Sequence, residues 1–532
     1  LLALCCAASA WAAAPNDPLF SDQWYLQAPD VTHAAAIDAV GAWTTTVGSS
    51  STVVAVVDSG VRLDHPDLIS KLLPGYNFVT NLAAAGGNVG PNADATDPGD
   101  YCDGSLPNSV PSLSTWHGTQ MAGIIAAATN NSAGVAGINW NAKILPVRIT
   151  GRCFAYDPDI IAGMRWAAGL SVGGVPDNPN PAQIMNLSFS GDPASACGAS
   201  YQGVTKEILA KNALIVAAVG NQGVQGVGEP ANCEGVLAVT GLNNDGSKGD
   251  IANFGSRVDI AAPMGNRGGG SYFSIVTTTN DGNDAPSVNG YLSLNSGENN
   301  TSSASAQVAG VASLMQGVHP DLSVAQLIQR IKNSAKPFPS IPGLPTCGSA
   351  PAGQACNCTT DTCGAGMLNA SGAVDEALRP EAVITPVNGA TAGVGLNLSS
   401  TGSSAASGSS IGSYQWSIVD DGGTASNLSN ADQASATLTP ANAGSTIVSL
   451  KVTDGAGRTD TTTLTISVAA AGGGDNGNGG GGGNGGDGNG GGGSGAGGGG
   501  GGGGGAVDPL SLLAIGALGG LAYAARRERK AK

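Results

Sequence analysis

Positive charge is what this sequence has least of. It holds 22 Lys and Arg against 38 Asp and Glu, and charged residues of both signs make up only 11% of its 532 positions. The net charge is −16, and because the last seven residues carry +4, everything before them sums to −20. Such a chain would be repelled by a phosphate backbone, which excludes nucleic acid as a partner and suits bound cations or an extracellular setting. An initiator Met and a basic first stretch are also missing. The chain opens on Leu1, so its N-terminus is expected to be incomplete, and residues 1–14 read as the tail of a secretory signal peptide with Ala10-Trp11-Ala12 as one cleavage site. A lipidated Cys5 or Cys6 is the alternative. The C-x₂-C spacing of a zinc knuckle is absent, since Cys356-Asn357-Cys358 is one residue short. Eight cysteines remain: Cys102, Cys153, Cys197, Cys233, Cys347, Cys356, Cys358 and Cys363. An even number in an exported chain predicts disulfides.

What is present divides the chain. Ser51–Gly60 (STVVAVVDSG) is a β-branched run of the kind buried in a parallel sheet, and it ends on Asp58. Sites assemble at the carboxyl ends of such strands, although an Asp there also caps turns. Trp116–Ala128 predicts a helix with His117 in its first turn, where the helix dipole disfavours the imidazolium and leaves a neutral proton acceptor. A capping or surface His reads equally from this stretch alone. Further strands fall at 143–149, 184–191, 213–223 and 236–241, separated by helices near 159–169 and 202–212. Strands alternating with helices predict a three-layer α/β domain with a mainly parallel sheet. Asn300–Met315 begins with hydroxyl residues and continues as an apolar helical stripe of Val308, Val311, Ala312 and Met315. It reads either as a capped core helix, with Thr301 and Ser302 as caps, or as a helix start presenting a serine nucleophile beside N–H groups that favour an oxyanion. Asp321–Ser334 adds an amphipathic helix.

After Arg379-Pro380 the character changes. Residues 380–469 are rich in Ser, Thr, Gly and Val with alternating runs at 446–453 and 461–468, which predicts a small all-β sandwich. Residues 470–506 form a linker; 26 of the 34 residues from Gly472 to Gly505 are glycine, giving a tether of roughly 30 Å r.m.s.. Residues 507–532 hold a 17-residue uncharged run, Pro509–Ala525, and then a cluster of Arg and Lys. That run is at the short limit for a membrane helix, with its basic end in the cytoplasm.

A hydroxyl nucleophile needs a base, and the base needs an orienting group; Asp58, His117 and Ser302 supply the set. VVDSGV around Asp58, HGTQMAG from His117 and TSSASAQVAG from Thr301 together resemble the three signature segments of the subtilisin-like (subtilase) serine peptidases. NNSAGVAG, KILPVR, MNLSFSG, AAVGNQG and VDIAAP extend the resemblance over about Asn16–Leu378, taken here as a domain of residues 15–378. The cysteine-bearing form looks most like the secreted proteases of Gram-negative bacteria. The resemblance implies Ser302 as nucleophile, His117 as general base and Asp58 as its orienting carboxylate. It also implies Asn221 as oxyanion donor with the Ser302 N–H, although Asn221-Gln222-Gly223 reads as a tight turn too. Leu187, Ser188, Phe189, Ser190 and Gly191 would form a wall that pairs with substrate backbone. Gly228 would leave the primary pocket open to a large side chain, or Glu229 would favour a basic one. Two positions depart from the family: Asn300 stands where Gly is usual and Ala306 where Pro is usual. A peptide-binding protein that has lost activity, or a surface tether acting through its β-module, is the alternative to an exported serine endopeptidase acting on polypeptides.

Other implications of the resemblance concern pairing, tail and metal. Cys102 would join Cys153 and Cys197 would join Cys233, leaving the last four to bond among themselves. The β-rich segment resembles a PKD or Ig-like module. The Gly tract, apolar run and Arg cluster resemble GlyGly-CTERM sorting tails, which implies a sorting protease as partner, a transient or permanent inner-membrane anchor and delivery to the surface or medium. A structural calcium would be held by Asp67, the Asn131 side chain and the carbonyls of Thr129, Ala133 and Val135, all oxygen ligands as a hard cation requires. A residue near the start such as Asp17 would complete the shell. Asp94, Asp97 and Asp100 form a second calcium candidate that reads equally as a solvated acidic loop.

Overall fold

The computed structural model describes residues 14–107, 109–266, 273–294 and 299–471. The stretch up to residue 13, which reads as a signal-peptide tail, nearly all of the Gly-rich linker and the C-terminal apolar segment lie outside the described residues. Among those described, no helix is long and apolar enough to cross a membrane.

Two compact units result, the first running to Pro380 and the second taking Glu381–Ser403 and the strands from Ile411 onward. In the first unit the strands are β1 (Val53–Asp58), β2 (Tyr76–Asn77), β3 (Lys143–Arg148), β4 (Ile184–Leu187), β5 (Leu214–Ala218), β6 (Leu237–Leu242) and β7 (Ile260–Pro263). They form one parallel sheet in the order β2-β3-β1-β4-β5-β6-β7. A short hairpin, β8 (Thr278–Asn280) and β9 (Asn289–Tyr291), stands apart from it. The helices are α1 (Ala39–Trp43), α2 (His117–Ala126), α3 (Asp157–Ala167), α4 (Ala199–Leu209), α5 (Thr301–Val318), α6 (Val324–Asn333), α7 (Thr360–Cys363) and α8 (Ala370–Ala377).

The apolar runs explain the layers. Successive strand side chains point to opposite faces, so Val54 and Val56 of β1 enter one core while Ala55 and Val57 enter the other. Leu214 and Val216 divide from Ile215 and Ala217 in the same way on β5. Met121, Ile124, Val308 and Val311 of α2 and α5 cover the first face, and Met164, Trp166 and Ile208 of α3 and α4 cover the second. This is the three-layer α/β arrangement read from the sequence. α6 begins on a capping box in which Ser323 and Gln326 satisfy each other's backbone N–H.

Four disulfides join Cys102 to Cys153, Cys197 to Cys233, Cys347 to Cys356 and Cys358 to Cys363. Sulfurs of Cys347, Cys358 and Cys363 lie close enough to hold a metal, but all three are committed to those bonds.

The second unit is a sandwich of two sheets. One has the order β10-β16-β15-β12 and the other β11-β14-β13, with β10 at Ala390–Thr391, β11 at Leu396–Ser399, β12 at Ile411–Asp420, β13 at Asn427–Ser429, β14 at Ser435–Thr439, β15 at Gly444–Asp454 and β16 at Thr459–Ala469. Leu398, Trp416, Leu438, Leu450 and Ile466 close its core.

Candidate active site

The strand order places the site. β1 has β3 on one side and β4 on the other, so the chain leaves β1 in one direction and later returns on its opposite flank. Open parallel sheets carry their sites at such a reversal, beyond the carboxyl ends of the strands. Asp58 is the last residue of β1 and only 5% exposed. The register Val56↔Asn186 brings Ser188, just past β4, out beside it.

His117 opens α2, and its Nδ1 lies 2.9 Å from each Asp58 carboxylate oxygen. A carboxylate accepts only, so Nδ1 carries the proton and Nε2 is the basic nitrogen of the neutral ring. The Ser59 N–H also donates to Asp58 Oδ1, at 2.7 Å. Glycine is required at 118: a Cβ there would lie 2.1 Å from the Gly60 carbonyl oxygen. That close approach brings the start of α2 down onto the end of β1.

α5 presents Ser302 in its first turn, 2% exposed, with Oγ donating to the Ser188 carbonyl at 2.9 Å. The helix cap corrects the sequence reading. Asn300 is extended (φ −150°) and its Oδ1 accepts from the Ser303 N–H, so Asn300 is the cap and Thr301 and Ser302 lie inside the helix. The departure from the family's glycine thus supplies a capping side chain, and Ala306 continues the helix.

Asn221 follows β5. Its Oδ1 accepts from the Thr301 N–H at 2.9 Å and from Thr301 Oγ1 at 3.0 Å. With its oxygen engaged twice, Asn221 is oriented with its two N–H donors away from Thr301. Thr301, read from sequence only as a cap, is thereby the link between Asn221 and the nucleophile's helix. Beneath Ser302, Ser305 Oγ donates to the Ser302 carbonyl at 2.9 Å and lies 2.9 Å from Ser188 Oγ, while the Asn186 amide donates to Ser188 Oγ at 2.7 Å. Sequence reading missed this buried cluster because its two halves, Asn186 with Ser188 and Ser302 with Ser305, are more than 100 residues apart.

Ser188, Phe189, Ser190, Ala218, Gly220, Asn221, Gln222 and Thr301 line a cleft of about 10 Å³. Leu187 is buried in the core and takes no part in its surface. Phe189 and Ser190 make no backbone hydrogen bond to the described residues. The Gly191 N–H is taken by the Glu229 carbonyl at 2.7 Å. Gly228 does not line this cleft: a Cβ there would meet the Gly191 carbonyl at 2.3 Å and Ser190 Oγ at 2.4 Å, so its bareness lets two loops touch. Glu229 accepts from the Gly198 N–H at 2.8 Å, a structural task.

The loop read first as a calcium candidate lies at the other end of α2. Asp67 and Asp17 are buried, 0% and 4% exposed. Asp67 accepts from the Asn131 amide at 2.6 Å and from the Val135 N–H at 3.0 Å, and Asp17 from the Asn130 N–H at 2.9 Å. Burial pushes the Asp67 carboxyl up, and the Asp17 charge adds to it. The carbonyls of Thr129, Ala133 and Val135 accept no hydrogen bond from the described residues.

The second loop brings two of its carboxylates, not three, under each other's influence: burial and then the Asp100 charge push the Asp97 carboxyl up to about 7. Asp94 is exposed and turns back to the Thr96 N–H. Asp97, fully buried, accepts from Ser59 Oγ at 2.7 Å and from the Gly99 N–H at 2.9 Å. Asp100 accepts from both the N–H and Oγ1 of Thr115, at 2.6 Å each. The arrangement corrects the reading of these three as a cation shell: no group of three acidic side chains among the described residues comes together there.

Comparison with known proteins bears on this geometry. The Subtilase family model matches residues 49–373, and a PKD domain model matches residues 391–468. The chain is 35% identical over 405 residues to the "Extracellular protease" of Xanthomonas campestris pv. campestris, covering 73% of this chain and 63% of that protein. It is 37% identical over 310 residues to the "Extracellular basic protease" of Dichelobacter nodosus, covering 57% of this chain and 48% of that protein. Both matches thus span less than two thirds of the relative's own length. Among solved structures, proteases from Pseudoalteromonas arctica superpose with a TM-score of 0.59 at 35% identity, covering 69% of this chain and all of theirs.

Proposed function

The chain belongs to the subtilase family, and from that premise we propose that it is an exported serine endopeptidase. The observation that carries the reading is the Asp58–His117 pair, joined at 2.9 Å on the strand end next to the one that leads to Ser188 and Ser302. His117 Nε2 takes the Ser302 hydroxyl proton as Oγ attacks a peptide carbonyl, and later delivers it to the leaving amine. Asp58 holds the tautomer that makes Nε2 the base, and stabilises the imidazolium when it forms. The Asn221 amide and the Ser302 N–H, at a helix N-terminus, take the developing oxyanion. One such side-chain donor is worth about 10²–10³ in kcat. Phe189 and Ser190, with backbone groups uncommitted, are positioned to pair with an extended substrate. Four disulfides and the relatives' extracellular names support export.

Structural calcium fits the first loop. Two buried carboxylates face it with no salt-bridge partner among the described residues, and three carbonyls point to no donor. Asp67, Asp17, Asn131 and those carbonyls would hold the ion, with Asn131 offering the Oδ1 that accepts here from the Ala133 N–H at 2.9 Å. The ion would neutralise the carboxylates and tie the residues around Asp17 to the loop after α2.

A fluorophosphonate probe tests the reading. Purified protein is expected to be labelled and to cleave a peptide substrate, and Ser302→Ala is expected to lose both. Equal labelling of the two, or none, overturns it.

A further inference from the structure

We propose that Asp97 and Asp100 are positioning residues for His117, acting through Ser59 and Thr115; this rests on the peptidase reading above. His117 is reached through an unfavourable turn. Trp116, the residue before it, has φ +56° and ψ 30°, a left-handed region that a bulky side chain occupies only where its surroundings hold it. Trp116 offers α2 no side-chain cap, so the helix's first N–H groups must find partners elsewhere.

One of them, the Gly118 N–H, finds the hydroxyl of Ser59, just past β1, and the acidic loop holds that hydroxyl. The Gly118 N–H donates to Ser59 Oγ at 3.1 Å, and Ser59 Oγ donates to Asp97 Oδ2 at 2.7 Å. A hydroxyl has one proton, so committing it to Asp97 turns a lone pair of Ser59 towards Gly118. Ser59 touches the other partner too, through its N–H on Asp58 Oδ1. One residue therefore sets both halves of the Asp58–His117 pair. On the other side, Asp100 grips Thr115 by its N–H and its hydroxyl together. Between them the Trp116 indole donates to the Gly282 carbonyl at 2.8 Å, and the Gln120 amide donates to the Thr115 carbonyl at 2.7 Å. The turn into His117 is held from the acidic loop at two points and from the Gly282 carbonyl at a third. Asp97, Asp100, Ser59 and Thr115 do not line the cleft beside Ser302, so their effect falls on the orientation of the base and not on substrate contact.

The test uses Ser59→Ala, Ser59→Thr and Asp100→Asn in the full chain, with kcat expressed per fluorophosphonate-titrated site. Displacing a catalytic group by about 1 Å costs on the order of 10² in rate. Ser59→Ala and Asp100→Asn are expected to lower kcat by about 10- to 100-fold with KM within about twofold, and Ser59→Thr, which keeps the hydroxyl, to recover most of it. The low-field proton resonance of His117 Nδ1–H is read alongside, and is expected to shift in Ser59→Ala and return in Ser59→Thr. An inactive parent whose resonance still responds in this way sinks the peptidase reading and keeps the positioning role. An unmoved resonance, or a kcat per site within about twofold of the parent, overturns the positioning role.

Discussion

Two loops of this protein both read as cation candidates and differ in structure. Residues 129–135, with Asp67 and Asp17, and residues 94–100 both set carboxylates against backbone in a chain with excess negative charge. In the second loop no Lys or Arg among the described residues forms a salt bridge with the acids, and burial with the Asp100 charge pushes the Asp97 carboxyl up to about 7. The Arg148 guanidinium, itself buried, acts on Asp94, Asp97 and Asp100, and Arg62 donates to the Asp97 carbonyl at 2.9 Å. Hydroxyl and N–H donors then take up the lone pairs of Asp97 and Asp100. In the first loop no Lys or Arg among the described residues pairs with Asp67 or Asp17, and three carbonyls go without a donor there. Acidic charge therefore does not separate the two loops; the carbonyl lone pairs left without a donor in the first loop do.

Calcium removal should separate the loops most strongly. An ion bound only by the folded state at 100 times its Kd adds about 2.7 kcal/mol. Chelation is expected to lower the melting temperature and speed self-digestion, with added Ca²⁺ restoring both. Asp67→Asn should remove that response, and an EDTA-insensitive melting curve would erase the distinction. Asp97→Asn should give a comparable or smaller loss, about 1–3 kcal/mol for a disturbed buried hydrogen-bonded group, while the calcium response persists. If Asp97→Asn abolished the response instead, the second loop would be the cation site after all. Asp94→Asn sits at the bottom of the scale: an exposed side chain making one local turn bond should shift stability by less than about 0.5 kcal/mol in a denaturant titration, with kcat unchanged.

The same contrast shows what a sequence can carry. Asp58, His117 and Ser302 were legible because each sits in a short segment whose neighbours are constrained by local geometry: Gly118 by the Gly60 carbonyl, Thr301 by Asn221. The β-branched runs announced β1 and β3 through β6 because a strand buried on both faces has no alternative composition. Pairings across the chain were not legible. Asp97 finds Ser59 38 residues away, Asp100 finds Thr115 15 residues away, and nothing in either segment names its partner. Gly228 could not be resolved from sequence for a related reason, since an open pocket and a tight loop contact both demand a missing Cβ. The hairpin β8–β9 escaped because its strands are three residues each. Asn300 was judged against the family's glycine, and its role appears only in the backbone angle that makes it a cap.

The sheet order also dictates when activity can first arise. β1 is flanked by strands that begin 90 and 131 residues later, at Lys143 and Ile184, and the nucleophile's helix starts later still, at Thr301. Contacts so distant in sequence form late, because the chain between them must be closed first. An unfinished or partly folded chain therefore has Asp58 on an unpaired strand and no assembled base or nucleophile. Under the peptidase reading proposed above, the topology acts as a clock: the groups that would cut a chain come together only when the fold is in place.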